Sequence, residues 1–183
     1  MRCCRESFAA AFARDQSLAH DAVYTIHGET GFAWAARREL LDACNLYDAC
    51  LTGSGDHLMA HAFAGALNSP CIPKAIGTDH NYAKHFTHWA TKAERMTNGS
   101  LGYVEGRVLH LWHGEWADRR YQDRNQEFKT FGFDPGRHIR QDKNGLWEWA
   151  DAPLDMQTWA AEMFVSRNED GYDSSTNRSV GAV

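Results

Sequence analysis

Between Thr78 and Met96 the residues Tyr82, Phe86, Trp89, Ala93 and Met96 recur at helical spacing. A helix with one aromatic face must have that face covered, so the rest of the chain has to fold around it. The chain has the means: 183 residues, 43% of them hydrophobic, with seven Trp, six Tyr and nine Phe. That is enough apolar material for a real core and excludes wholesale disorder. The length fits one domain, read as residues 1–165, followed by a polar tail at 166–183 that is rich in Gly, Ser and Asn and expected to be flexible.

Other elements are read around that helix. Residues 5–14 form a short helix with Phe8 and Phe12 on one face, and 22–26 (AVYTI) read as a strand. After a polar turn at 27–31, a short apolar segment leads into a helix over about 37–44. The glycine-rich stretch 50–56 opens a helix over 56–67, with Asp56 as its expected cap and Pro70 and Pro73 ending that region. Residues 103–112 alternate as strand, 117–131 form a charged helix stopped by Gly132 and Asp134-Pro135-Gly136, and another helix begins near Gln157. Strands interleaved with helices make this an α/β chain, a mixed sheet with flanking helices.

Composition narrows the partners. A net charge of −5 argues against a general nucleic-acid binder. Neither a spanning apolar run nor a signal-peptide core is visible, so a cytoplasmic location without a membrane span is expected. The five cysteines, at 3, 4, 44, 50 and 71, are odd in number and contain no Cys-x-x-Cys pair, which reads as free thiols in a reducing compartment.

Chemistry concentrates in three places. Asp56, after Gly53-Ser54-Gly55 at a helix start, is a carboxylate kept ionised by backbone amides, suited to general-base work or to orienting a hydroxyl; the alternative role is a plain helix cap. His57 and His61 stand four apart on one helix face, a spacing that can bind a metal, though no third ligand lies nearby in sequence. His113 ends the strand that carries Trp112 and precedes Gly114, with Arg119, Arg120 and Arg124 following it, a plausible setting for a metal and a diphosphate. The same arginines, interleaved with Asp118, Asp123 and Glu127, equally suit a solvated helix face.

In order, these pieces resemble the C-terminal half of a GT-A-fold glycosyltransferase, from about Gly31 to Arg120. Residues 31–39 (GFAWAARRE) are similar to the glycine loop and "RRE" helix of that fold, and Asn45-Leu46-Tyr47-Asp48 to the turn that follows it. Gly53-Ser54-Gly55-Asp56 falls where these enzymes carry a Gly-x-Glu-Asp-like motif. His113 sits like the C-terminal metal-binding histidine of polypeptide GalNAc-transferases and β-1,4-galactosyltransferases. The resemblance implies a partial GT-A domain that moves sugar from a nucleotide-sugar donor to an acceptor. In it Asp56 is the catalytic carboxylate, Gly31, Phe32, Trp34 and Gly55 line the substrates, and His113 holds a Mn²⁺-like divalent ion. Arg119 and Arg120, by charge and position, neutralise the departing diphosphate. The acidic residue that usually precedes the base is Gly55 here, and no Asp-x-Asp occurs. The nucleotide-binding half is therefore expected from a missing N-terminal segment or a second subunit.

Two other classes fit parts of the chain. One is a metal-dependent hydrolase built on His57, His61 and a distant carboxylate. The other is a non-catalytic carbohydrate-binding module using Trp112, Trp116, Trp147 and Trp149.

Overall fold

A computed structural model of the chain describes residues 5–78, 80–109, 117–121 and 123–167. About 51% of it is helix, with one small two-stranded antiparallel sheet, a mixture of helix and strand compatible with the α/β class. The helices are α1 (Phe8–Arg14), α2 (Tyr24–His27), α3 (Arg38–Cys44), α4 (Gly55–Phe63), α5 (Cys71–Ile76), α6 (Asn81–Thr97), α7 (Asp123–Lys129), α8 (Pro135–His138) and α9 (Leu154–Ser166), with a 3-10 turn at Gln16–His20. The strands are β1 (Ile139–Gln141) and β2 (Trp147–Trp149).

The central helix is α6, which packs on α3, α4, α5 and α8. Its buried residues are Tyr82, Phe86, Ala90 and Ala93, spaced four, four and three apart. Trp89 is half-buried beside this stripe, whereas Met96 falls off the face and is exposed. The main core gathers Tyr47, Leu58, Ile76, Phe128, Phe133, Ile139 and Met156 around Tyr82 and Phe86. Phe86, 1% exposed, contacts the rings of Tyr47 and Trp89. Phe86→Ala is expected to destabilise by about 3–5 kcal/mol, read as a lower denaturant midpoint at unchanged slope. A midpoint within error of the parent would show that this helix is not the centre of the core.

Side chains tie helix ends to this frame. Trp89 Nε1 donates to the Cys44 carbonyl at 2.7 Å, closing the end of α3. Lys129 Nζ donates to the Pro73 and Lys74 carbonyls at 3.2 and 2.6 Å, binding α7 to α5. The Cys44 and Lys74 carbonyls are of the kind that a helix end leaves without an internal partner, whereas Pro73 O also takes the Gly77 amide at 2.9 Å.

The N-terminal unit, α1, the 3-10 turn and α2, builds a smaller core of Phe8, Phe12 and Ala19 against Ala60 and Ala66. It is pinned by Phe8 N donating to Glu29 O at 2.8 Å and Glu29 N donating to Glu6 O at 2.9 Å. Gly28, at φ +84°, allows that approach: a Cβ there would stand 2.8–2.9 Å from the backbone of Glu6, Ser7 and Phe8.

Several elements differ from the sequence reading. The stretch 22–26 is not a strand but leads into the single turn of α2. There Asp21 Oδ1 takes the Val23 amide at 2.7 Å, and Tyr24 and His27 then fall on one buried side. Local hydrogen bonding and burial outweigh the β-branched composition. Pro70 opens α5 rather than only ending the region before it. Residues 103–109 form no strand, and the strand residues that the sequence placed at 110–112 lie outside the described set. The charged helix begins at Asp123 rather than near 117. The sheet is instead the β1–β2 hairpin, in which Arg140 pairs with Glu148 at 2.6 Å and Asp142 holds the turn through the amides of Asn144 and Leu146. Trp149 packs on the main core, and Trp147 is exposed. No described helix is long and apolar enough to cross a membrane.

Candidate functional site at the start of α4

The loop before α4 turns through Gly53 N donating to Cys50 O at 3.1 Å, and Ser54 then adopts a left-handed conformation at φ +69°. Ser54, not Asp56, is the N-cap residue, and its side chain makes no capping bond. Asp56 is therefore not committed to the cap, and it is half-buried in the first turn. Its Oδ2 accepts from Thr30 Oγ1 at 3.0 Å. Because that hydroxyl proton is committed to the carboxylate, the Tyr24 OH, 3.3 Å from the same oxygen, donates to it. Trp34 Nε1 donates to the Thr30 carbonyl at 2.8 Å.

Gly31 stands directly over the carboxylate: a Cβ at 31 would lie 3.4 Å from Asp56 Oδ2. Its neighbour Phe32 holds φ +78° with its side chain exposed, a costly backbone state for a bulky residue. Gly55 backs onto the Tyr47 carbonyl, 3.2 Å from where its Cβ would be. Gly31, Thr30, Trp34, Gly55 and Asp56 thus converge. Backbone strain sits on both sides of the carboxylate, at Phe32 and Ser54.

The arginines divide. Arg120 pairs with Glu127 at the surface. Arg119 is buried and donates to Tyr121 Oη at 2.9 Å. Arg124, 2% exposed, lies deepest: its guanidinium stacks 4.3 Å over the Tyr121 ring and donates to the Arg119 carbonyl at 3.3 Å. Its Nη2 reaches within 3.0 Å of where a Gly53 Cβ would stand, against the loop that carries Asp56. Arg124 Nε is buried and has no hydrogen bond among the described residues. Burial, then the like charge of Arg167, lowers the Arg124 pKa, while Asp56 opposes that shift. Arg124 is the arginine that meets the glycine loop, whereas the sequence reading assigned the diphosphate role to Arg119 and Arg120. His113 lies outside the described residues.

A second convergence lies one turn along α4. His57 and His61 meet His27, at the end of α2, and Cys71, at the start of α5, with all four donor atoms within 4.8 Å of one another. This group could bind a metal ion. His57 Nε2 is 3.0 Å from His61 Nε2, and Cys71 Sγ is 3.5 Å from His27 Nε2. The i, i+4 pair was visible in the sequence. Its partners were not, since they come from 30 residues before and 10 after it and share no short motif. The other described cysteines, Cys44 and Cys50, are free thiols. Burial pushes the Cys50 thiol up to about 12.

No protein-family model, curated protein or solved structure matches the chain.

Burial lowers the His57 pKa to about 4 and the His61 pKa to about 3, with like-charge neighbours adding to each. His27 shifts the same way through burial. All three rings are neutral at pH 7. In the metal-free protein the unfolded chain takes up these protons below about pH 6.5, and the folded chain only near 4 and 3. The unfolded state therefore binds more protons across that window, and stability falls as pH falls, by about 1.4 kcal/mol per unit for each histidine. Denaturant melts of metal-free protein at pH 7 and pH 5 check this; equal midpoints contradict it.

Proposed function

We propose that this chain carries the acceptor side of a glycosyltransferase site, with Asp56 as the carboxylate that faces the attacking hydroxyl. The observation that carries the reading is the placement of Asp56: in the first turn of a helix, held by Thr30, next to the side-chain-free Gly31, and within electrostatic reach of the buried Arg124. In an inverting displacement the acceptor oxygen bonds to the anomeric carbon as the bond to the nucleoside diphosphate breaks. The hydroxyl proton passes to Asp56, and the electron pair leaves with the diphosphate. Thr30 and Tyr24 form a hydroxyl relay that holds the carboxylate in one orientation. Arg124 is the cation set against the glycine loop for the departing charge, with Arg119 bonded to it through its carbonyl and Arg120 committed to Glu127. A divalent ion held in part by His113, as the resemblance implies, would add to that neutralisation.

The partial GT-A domain remains part of this proposal, as do the nucleotide-sugar donor and the acceptor. The test is nucleotide-sugar-dependent release of nucleoside diphosphate by the protein isolated from its native source, so that any further segment or subunit travels with it. Transfer that survives Asp56→Asn unchanged would remove the assigned role.

The hydrolase reading has the His57–His61 pair in its favour, but a catalytic metal needs an open coordination position. Here four protein donors converge, and three of them are buried.

A further inference from the structure

We infer that His27, His57, His61 and Cys71 form a closed zinc centre that fastens the N-terminal unit and α5 to α4. This is independent of the transfer reading and of any ion at His113.

Spacing is the first ground. A tetrahedral zinc site with ordinary bond lengths sets its nitrogens about 3.3 Å apart and nitrogen from sulfur about 3.6 Å. Two of the six edges, 3.0 Å between His57 and His61 and 3.5 Å between His27 and Cys71, are near those values, and all six are within 4.8 Å, so a modest inward shift of the side chains closes the site.

Tautomer is the second. His27 Nδ1 lies 3.0 Å from the Gly28 carbonyl, which can only accept, so Nδ1 carries the proton. Its Nε2 lone pair is then directed at Cys71, the pattern of a metal-bound histidine held by a backbone carbonyl.

Third is the cost of leaving the group empty. Three imidazoles stand with ring centres 4.9–5.2 Å apart, walled by Phe8 and Tyr24. His61 is 0% exposed, and its Nδ1 has no hydrogen bond among the described residues. The Ala19 backbone favours a proton on the His61 ring, and with Nε2 facing His57 that proton belongs on Nδ1, which leaves the Nε2 lone pair for a metal. Three neutral imidazoles and a thiol give only weak bonds among themselves; a metal converts all four into ligands and draws the proton from the thiol.

Donor chemistry chooses the ion. Three imidazoles and one sulfur suit zinc, and the absence of a carboxylate among the four disfavours magnesium, calcium and manganese. Four protein donors leave no position for water, so the ion's role is structural.

The experiment is metal analysis of protein purified without chelator, followed by Co²⁺ titration of the metal-free protein. Expected are one zinc per chain and, with Co²⁺, intense visible bands of a tetrahedral site together with a thiolate charge-transfer band. Cys71→Ser should abolish the charge-transfer band, and His61→Ala should weaken Zn²⁺ binding by roughly a hundredfold or more. Should either variant fail to fold, the wild-type cobalt spectrum alone decides. A folded wild-type protein that holds no zinc and takes up no Co²⁺ overturns the proposal. So does a six-coordinate cobalt spectrum or one without the thiolate band.

Discussion

Stripping the zinc at neutral pH is expected to lower the melting temperature by about 10–15 °C and to expose the N-terminal unit to protease first. Free Zn²⁺ at a thousand times its dissociation constant stabilises the folded state by about 4 kcal/mol, and each kcal/mol moves the midpoint of a chain this size by about 2–4 °C. The effect should be local before it is global. Besides the ion, the N-terminal unit is held by a core of Phe8, Phe12 and Ala19 on Ala60 and Ala66, whereas α6 is buried on several sides. Limited proteolysis with and without chelator, read by mass, should place the first new cut before α3. Identical digestion patterns and melting curves would mean that the four side chains hold the segment without an ion.

Asp56→Asn is the second large effect. On the proposed transfer reading it removes the base, and kcat is expected to fall by about 10²–10⁴ with KM for the nucleotide-sugar nearly unchanged. The fold should tolerate it. The amide oxygen of Asn can still accept from Thr30, and the lost helix-dipole interaction is worth about 0.3–1 kcal/mol. The split matters: a variant that loses stability and rate together would make Asp56 a structural anchor for Thr30. Thr30→Val supplies the control, since it leaves the carboxylate in place and loosens only its orientation.

Long periodic segments were legible from sequence. The stripe on α6 repeats along a 17-residue helix, so its signal outweighs local noise, while α1 was marked by Phe8 and Phe12 and the start of α4 by its glycine loop. Short elements were not. The single turn of α2 owes its shape to Asp21 and to packing of Tyr24 and His27, and the three-residue strands β1 and β2 are too brief for alternation to register. The site divides in the same way. Asp56 was singled out because a glycine loop and a helix start lie beside it in sequence, and Gly31 because of the resemblance; their closeness in space is what the structure adds. Arg124 looked like one more charge on a surface helix, and only its burial against Tyr121 sets it apart from Arg120. The His and Cys group draws on three separate helices, and pairings of that kind are written in tertiary packing rather than in spacing.

Gly28 ligates nothing, yet its missing side chain decides whether His27 stays in register. Any Cβ there would collide with the backbone of residues 6–8. The collision would push apart the segment whose last helical residue is His27, bonded to the carbonyl of Gly28 itself. In a random-mutagenesis screen scored by zinc content, position 28 should therefore give null alleles as often as the four ligands do. The inherited lesion map of the centre would then have five positions for four donors.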